Sequence, residues 1–253
     1  MSSPNQPLAG RSALVTGASR GIGAAIAKRL AAEGAQVIAH YGNGAEETKQ
    51  LIAQIEAAGG RASAVQADLA STNGPFELMD RVAQQLGSKK LDILVNNAGL
   101  APYASTAEMT TESFDTLAAV NMRSVFFVTQ RALPLLAEGG NIVNLSSIVS
   151  RTAFPGIPAY SATKGFIDVL TLQWAQEFAP RRIRVNAVAP GAIDTRMSTW
   201  IHRPGGTETL KAMQALPGIG QPEHVAGVVA FLVGPDGSWT TGQVIDASGG
   251  TKL

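Results

Sequence analysis

The amino-acid sequence predicts a single α/β domain built around a parallel sheet. From Ser12 onward, short runs of β-branched and aliphatic residues alternate with longer segments of helical periodicity, a pattern typical of consecutive βαβ units. The 253 residues show no break in composition, no repeat and no linker, and this length fits one domain with a large core. We therefore expect residues 1–253 to form one domain, with a flexible segment at 1–9.

Composition argues against several classes of protein. Hydrophobic residues make up 45% of the chain, and the net charge is +1 with no basic block, which argues against nucleic acid as a partner. There is no cysteine, and His40, His202 and His224 are too scattered to form a metal site, so we expect no metal and interpret these histidines as ordinary polar residues. The N-terminal residues lack the regions of a signal peptide, and no apolar run is long enough to span a bilayer. The sequence therefore predicts a cytoplasmic protein without a membrane partner.

The strands and helices follow from the alternating pattern. The candidate strands are 13–16, 36–40, 62–66, 93–96, 141–146, 184–189 and 243–246, and the candidate helices between them include 23–33 and 46–58. Since ligands of open parallel sheets bind at the carboxyl ends of the strands, the residues that follow each strand are the candidates for function.

The first of these turns is rich in glycine. Residues 16–23 read Thr-Gly-Ala-Ser-Arg-Gly-Ile-Gly, directly after the first strand and at the start of a helix that carries Ile22, Ile26 and Leu30 on one stripe. Glycines there allow backbone N–H groups to approach a pyrophosphate, whose charge the helix N-terminus favours. The spacing differs from the usual dinucleotide fingerprint. A plain glycine-rich turn is the alternative, but the strand before it and the helix after it favour nucleotide binding.

The end of the second strand indicates which nucleotide. Folds that bind NAD place an acidic residue there to hold the ribose 2′-hydroxyl, whereas residues 37–43 contain no carboxylate and carry Tyr41 instead. Arg20, within the glycine turn, has the planar guanidinium that suits a 2′-phosphate. Together the two observations favour NADP(H).

Polar residues also follow the third and fourth strands. Asp68 and Leu69 come after the third strand, and Asn96-Asn97-Ala98-Gly99 comes after the fourth. Each stretch alone is also typical of a simple turn. Asn121 lies near the centre of the helix that follows Thr110, and because asparagine is unfavourable inside a helix, a buried, hydrogen-bonded role is expected, with an exposed amide as the alternative.

The pair Tyr160 and Lys164 carries the chemistry. On a helix, positions i and i+4 share a face, so the phenol and the ammonium point the same way. A cation beside a tyrosine favours the phenolate and lowers its pKa by roughly one to three units, which makes the phenol a usable general acid or base near neutral pH. Ser147 follows the buried strand at 141–146 and can hold a substrate oxygen against the phenol. The alternative is a chance pair of one packed ring and one solvated ammonium.

Taken together, these motifs resemble the short-chain dehydrogenase/reductase family over residues 10–250. The remaining matching motif is Pro190-Gly191-Ala-Ile193-Asp-Thr195. The resemblance implies a single-domain, doubly wound Rossmann-type fold with a seven-stranded parallel sheet, assembled as a homotetramer. A helix at 160–178 agrees with such assembly: Phe166, Leu170, Trp174 and Phe178 form one apolar stripe, while Val169 and Leu172 lie off it, and a helix that is apolar on two sides is buried on two sides.

The resemblance also implies roles for the residues. The catalytic set comprises Asn121, which holds a water in a proton relay, Ser147, which positions the carbonyl, Tyr160, which gives the proton, and Lys164, which binds the nicotinamide ribose and lowers the tyrosine pKa. Asp68 is expected near the adenine, Asn97 between the strands, and Ile193 and Thr195 at the carboxamide. The full predicted cofactor site comprises Gly17, Ser19, Arg20, Gly21, Ile22, Gly23, Tyr41, Asp68, Leu69, Asn97, Ala98, Gly99, Tyr160, Lys164, Pro190, Gly191, Ile193 and Thr195.

Within the family, the sequence is similar to 3-oxoacyl-acyl-carrier-protein reductases at residues 218–223 and 241–246. It departs from them at residues 136–141, which are short and acidic where carrier-docking relatives tend to be basic; a carrier-bound substrate is therefore in doubt. We predict a substrate lid at 194–217, which offers Met197, Trp200 and Ile201 toward Phe154 and Tyr103. These side chains favour an apolar or aromatic carbonyl compound, unless they only pack the lid.

The sequence thus predicts an NADPH-dependent carbonyl reductase. Hydride is transferred to a ketone or a 3-oxoacyl-type substrate, and Tyr160 donates the proton. One alternative is an alcohol or polyol dehydrogenase that works oxidatively, and another is a non-catalytic NADP(H)-binding regulator. The intact set Asn121, Ser147, Tyr160 and Lys164 argues against the regulator.

Overall fold

The computed structural model describes residues 6–252 and contains one parallel sheet of seven strands. The strands stand in the order β3-β2-β1-β4-β5-β6-β7, and every neighbouring pair is parallel. Their bounds are β1 Ser12–Val15, β2 Gln36–Tyr41, β3 Arg61–Gln66, β4 Leu91–Asn96, β5 Leu136–Leu145, β6 Arg184–Pro190 and β7 Val244–Ala247. The predicted doubly wound, seven-stranded fold is confirmed.

Residues 6–252 form eight α-helices, six of which pack on the two faces of this sheet. They are α1 Gly21–Ala32, α2 Ala45–Ala57, α3 Gly74–Leu86, α4 Thr111–Ala118, α5 Ser124–Ala132, α6 Pro158–Glu177, α7 Gly206–Met213 and α8 Pro222–Val233. Three short 3₁₀ helices are present at Ile148–Ser150, Ala179–Arg181 and Arg196–His202, and a π-helical turn, Ala119–Arg123, joins α4 to α5.

The core lies in two layers, one on each face of the sheet. Because successive strand residues point to opposite faces, Ala13 and Val15 of β1 pack with α1, α2 and α8, whereas Leu14 packs with α3, α5 and α6. Both faces are apolar, as expected for a parallel sheet covered by helices on both sides.

The predicted strand bounds agree with the structure to within one or two residues, except at β5. This strand begins at Leu136, five residues before the predicted start, where Leu136 pairs with Leu91 ahead of a register shift. The glycine pair at 139–140 is typical of a turn in the sequence, and Gly139 has a φ of 71°, but the chain there is already part of β5.

The N-terminal part of the described chain lies against the domain. Leu8 is fully buried, and its backbone N–H donates to the carbonyl oxygen of Glu33 at 2.9 Å. Residues 1–5 of the segment predicted to be flexible lie outside the described residues. Within residues 6–252, no helix has the length and apolar character needed to cross a bilayer.

Candidate active site

A cleft of about 720 Å³ opens at the carboxyl ends of the strands. It lies where the strand order reverses between β1 and β4, the usual ligand position in sheets of this kind. All but two of the predicted site residues line it, so the fold brings together side chains that are far apart in the sequence: Gly17, Ser19, Arg20, Gly21, Ile22, Gly23, Asp68, Leu69, Asn97, Ala98, Gly99, Ser147, Tyr160, Lys164, Pro190, Gly191, Ile193 and Thr195. The exceptions are Tyr41 and Asn121.

The glycine turn forms one end of the cleft, and its packing requires glycine. Gly17 has a φ of 65°, and a Cβ there would lie 2.9 Å from the Cα of Ala98; a Cβ on Gly23 would lie 2.3 Å from the carbonyl oxygen of Gly17. Arg20, the residue before α1, makes no side-chain cap to the helix. The N–H groups of the first turn therefore remain available for an anion, and this arrangement fits the pyrophosphate of a dinucleotide.

Asn97 joins the ends of β1 and β4. Its Nδ2 donates to the carbonyl oxygens of Thr16 and Gly17 at 2.8 and 3.0 Å, while the Oγ1 of Thr16 accepts from the backbone N–H groups of Asn97 and Ala98. The position agrees with the structural role that the resemblance implies. Thr16 was not among the predicted site residues, although it holds the Asn97–Gly99 segment against the glycine turn.

The interpretation of His40 as an ordinary polar residue was wrong. His40 is buried at the end of β2, where its Nδ1 accepts from the backbone N–H of Gly17 at 3.1 Å. Its Nε2 lies 3.1 Å from the carbonyl oxygen of Ala67 and must therefore carry the proton. Burial lowers the pKa of His40 to about 4, so the ring is neutral and holds together the first three strand ends of the cleft. In the sequence, the position of a histidine inside an otherwise apolar strand could have indicated this buried role.

This buried ring predicts a loss of stability in mild acid. The folded pKa of about 4 lies below the ordinary value of 6.5, so between those values only the unfolded chain binds the proton, and stability falls as the pH falls through this window. We expect the protonation of His40 in the unfolded chain to lower the free energy of unfolding by about 2 kcal/mol between pH 7 and pH 5. Urea unfolding at both pH values should show a smaller loss in His40→Asn, and an equal loss would contradict the prediction.

The other two histidines do have ordinary polar roles. His202 lies 2.8 Å from a carboxylate oxygen of Asp194, and the Nδ1 of His224 accepts from the backbone N–H of Gln221 at the start of α8.

At the end of β2, the cleft is lined by Gly42 and Asn43 and not by Tyr41. Tyr41 is the next strand residue after His40, and since alternate residues point to opposite faces, it turns away from the side on which His40 meets the cleft. The structure thus lines the cleft with other residues of the predicted segment, and a role of Tyr41 in cofactor binding stays a prediction. Asp68, after β3, lines the cleft as predicted, and its side chain accepts from the N–H of Ala70.

Asn121 lies behind the cleft in the π-helical turn and not in the centre of a regular helix. Its Nδ2 donates to the carbonyl oxygen of Leu100 at 2.9 Å and to the Oγ1 of Thr163 at 3.1 Å, and its Oδ1 accepts from the N–H of Leu100. It is buried, so the expected buried, hydrogen-bonded role is present. Such single π turns are frequent at functional sites.

Tyr160, Lys164 and Ser147 converge at the other end of the cleft. Tyr160 and Lys164 lie one turn apart near the start of α6. The Nζ of Lys164 is buried, donates to the carbonyl oxygen of Leu145 at 2.7 Å and lies 5.5 Å from the centre of the Tyr160 ring. Ser147, at the end of β5, has its hydroxyl 3.4 Å from the carbonyl oxygen of Pro190. The neighbouring Ser146 is committed elsewhere, because its hydroxyl donates to Asp168 on α6.

The expected lowering of the Tyr160 pKa is not found. Burial raises the pKa of Tyr160 to about 12, and the Ser147 hydroxyl offsets only part of that rise. Burial likewise lowers the pKa of Lys164 to about 8, against the opposing charge of Asp168. The ammonium faces the ring and the Leu145 carbonyl, so desolvation outweighs its attraction for the phenolate. The phenol is therefore a protonated group at neutral pH. Asp168 was missed by the sequence analysis.

The segment predicted as a lid contains the 3₁₀ helix Arg196–His202 and the helix α7. Met197 is exposed and lines the cleft, whereas Ile201 is fully buried and packs the segment itself. Tyr103 lies directly against Gly156, where a Cβ would meet its ring at 2.4 Å, and the ammonium of Lys252 lies 3.9 Å over the ring of Phe154.

The chain is similar over almost its whole length to known reductases and oxidoreductases. Residues 17–252 match a family described as enoyl-(acyl carrier protein) reductase. An uncharacterized oxidoreductase of Methylorubrum extorquens is 44% identical over 250 residues, which cover 97% of this chain and 99% of the relative. The versicolorin reductase stcU of Emericella nidulans is 37% identical over 263 residues, which cover 98% of each chain.

A solved structure is similar over the same length. It is that of the angucycline C-6 ketoreductase LanV with bound NADP, at a TM-score of 0.92 and 42% identity, covering 98% of this chain and 97% of LanV. The identities and coverage of these relatives confirm the resemblance drawn from the motifs. The chain belongs to the short-chain dehydrogenase/reductase family and is an oxidoreductase.

Proposed function

We propose that this protein is an NADPH-dependent ketone reductase in which Tyr160 donates a proton to the carbonyl oxygen. The observation that carries the proposal is the convergence of the Ser147 and Tyr160 hydroxyls in a cleft whose far end is the glycine turn. The names of two relatives, a versicolorin reductase and a C-6 ketoreductase, support ketone reduction as the reaction.

NADP(H) is the cofactor, and the chain offers a group for each of its charged parts. The first turn of α1 suits the pyrophosphate, Arg20 suits the 2′-phosphate, and Lys164 keeps two N–H donors beyond the one given to Leu145, which suit the nicotinamide ribose. Bound NADPH supplies the hydride.

The chain's own residues handle the carbonyl oxygen. The Ser147 hydroxyl donates to that oxygen and fixes it near the phenol. Tyr160, whose pKa burial raises to about 12, keeps its proton until negative charge develops on the oxygen, and then transfers it there. A phenol that is protonated at neutral pH is in the state that carbonyl reduction requires of its proton donor.

The residues at the mouth of the cleft favour an apolar or aromatic ketone. Met197 lines the cleft. On neighbouring loops, Tyr103 lies against Gly156, and Phe154 lies under the ammonium of Lys252. Glu138, in the segment where carrier-docking relatives are basic, pairs with Arg182 at 3.6 Å. Because an acidic residue stands where carrier-docking relatives are basic, we propose a free ketone and not one carried by an acidic carrier protein.

A substrate panel tests this function. Aryl ketones, small aliphatic ketones, 3-oxoacyl thioesters and secondary alcohols are supplied with NADPH or NADP, and the absorbance of NADPH is followed. We expect the highest kcat/KM for aryl ketones. Turnover confined to alcohols would establish an oxidative enzyme, and a lack of turnover with every compound would support a regulator.

We also propose a homotetramer in which the outer face of α6 is an interface. Trp174 and Phe178 are buried against the sheet, whereas Val169 and Leu172 on the same helix are 60% and 59% exposed. Apolar side chains at that exposure on one helix face are typical of a subunit contact. Light scattering should show an oligomer, which the double change Val169→Lys and Leu172→Lys should dissociate while Leu216→Lys, at another exposed site, does not. A wild-type monomer at micromolar concentration would contradict the proposal.

A further inference from the structure

Two arginines from distant parts of the chain bind the same carboxylate oxygen at the rim of the cleft. The Nη1 of Arg20, in the glycine turn, lies 4.0 Å from the Oε1 of Glu47, and the Nη1 of Arg196 lies 3.7 Å from the same atom. Arg196 is the first residue of the 3₁₀ helix in the segment 194–217. The sequence did not predict that Arg196 lies beside the glycine turn, because the segment 194–217 was predicted only to be a substrate lid.

The surroundings of Glu47 are those expected for the 2′-phosphate of the cofactor. A Cβ on Gly44 would lie 2.9 Å from the Oγ of Ser19 and 3.7 Å from the Oε2 of Glu47, so the carboxylate lies beside the glycine turn. Gly42 and Asn43, which line the cleft here, follow β2, the strand whose end meets the ribose 2′ position in this fold.

The segment that carries Arg196 lies directly against the glycine turn. A Cβ on Gly21 would lie 3.3 Å from the methyl group of Thr195, and Thr195 and Arg196 both line the cleft. The two guanidinium groups are thus brought to one place by the backbone on each side and not only by long side chains.

The carboxylate between them is weakly held. The side chains of Arg20, Glu47 and Arg196 are 52%, 39% and 73% exposed, and ion pairs at such exposure contribute little free energy. A phosphate carries more charge than a carboxylate and accepts more hydrogen bonds from guanidinium groups. A phosphate in this place would therefore displace Glu47 from both arginines.

We propose that Arg20 and Arg196 together bind the 2′-phosphate of NADPH, and that Glu47 occupies this anion site in the cofactor-free protein and competes with the phosphate. The inference rests on NADPH as the cofactor of the proposed function. It makes Arg196 a determinant of cofactor specificity and connects the binding of the phosphate to the position of the segment above the substrate.

NADPH and NADH differ only in this phosphate, so their dissociation constants isolate its contacts. Calorimetric titration of the cofactor-free protein with each dinucleotide should show that Arg196→Ala weakens NADPH binding about five- to fiftyfold and leaves NADH binding within twofold. Glu47→Gln should tighten NADPH binding about two- to fivefold, since it removes a like charge near the phosphate, and should leave NADH unchanged. Arg20→Ala should show the same pattern as Arg196→Ala.

Two matched variants control for charge alone. Arg203→Ala removes an exposed arginine of the same segment, and Glu46→Gln removes the neighbouring acid in the first turn of α2; neither should change either constant. Circular dichroism of each variant confirms the fold.

Three results would overturn the inference. The first is that Arg196→Ala weakens the binding of NADPH and NADH equally, which would assign Arg196 to a group that both dinucleotides share. The second is that Arg196→Ala leaves NADPH binding unchanged although Arg20→Ala weakens it. The third is that Glu47→Gln leaves NADPH binding unchanged. Each of these is independent of ketone turnover by the wild-type protein, whose absence would contradict the proposed function and leave the binding result intact.

Discussion

Replacing Tyr160 by phenylalanine should lower kcat for ketone reduction about 10²- to 10⁴-fold, the range expected for loss of a general acid. The ring packs beside Ile148 and Val149, and phenylalanine keeps that packing, so only the proton donor is lost. The dissociation constant for NADPH, measured by calorimetry, should stay within about twofold because the phenol makes no contact with the phosphates in the proposed arrangement.

The same chemical change at another position controls for the loss of a phenol. Tyr103 is 79% exposed and does not line the cleft, so Tyr103→Phe should keep kcat within about threefold of the wild type. If Tyr160→Phe also kept kcat within a few-fold of the wild type, another group would be the acid. Ser147 would then be the first candidate, because its hydroxyl faces the same space.

The parts of the site that depend on local sequence were predictable. The glycine turn follows from a strand, three glycines and a helix that are contiguous in the chain. The shared face of Tyr160 and Lys164 follows from helical geometry alone. For these residues, local sequence determines the conformation of each segment, and the tertiary fold only places the segments side by side.

The residues that were missed act through tertiary contacts. His40 binds Gly17 and Ala67, which are far from it in the sequence, and Asp168 matters because Ser146 is brought against α6. Arg196 reaches Glu47 only because two segments meet at the glycine turn. No spacing rule within one segment reveals such partners.

The pKa of Tyr160 shows why a pKa cannot be inferred from neighbouring charges in the sequence alone. A cation at i+4 is visible in the sequence and lowers the pKa of a tyrosine when nothing else changes. Burial cannot be measured in the sequence, yet it disfavours the phenolate and the ammonium at once. In the structure it raises the one pKa to about 12 and lowers the other to about 8, so desolvation is the larger effect on both groups.

Burying the charged Lys164 costs folding free energy, so a substitution that removes the charge should lower activity and raise stability. Lys164→Met should reduce kcat/KM about 10- to 100-fold, since the charged hydrogen bonds that we propose from Lys164 to the ribose would be lost. It should also raise the unfolding free energy of the cofactor-free protein by about 1–2 kcal/mol at pH 7, because a buried ammonium is replaced by an apolar chain of similar length. The unpaired carbonyl of Leu145 limits the gain. Urea unfolding measures the second effect.

The pH dependence of that gain identifies its cause. The folded pKa of Lys164, about 8, lies below the ordinary 10.5, so the wild type bears the full cost of the charge below pH 8. Between those values only the unfolded chain binds the proton, and the wild type regains stability as the pH rises. The advantage of Lys164→Met should therefore shrink by half or more between pH 7 and pH 9.5, whereas Lys28→Met, at an exposed position of the same cleft, should show little difference at either pH. A gain that is the same at both pH values would mean that methionine packs better there and that the charge of Lys164 costs the fold nothing.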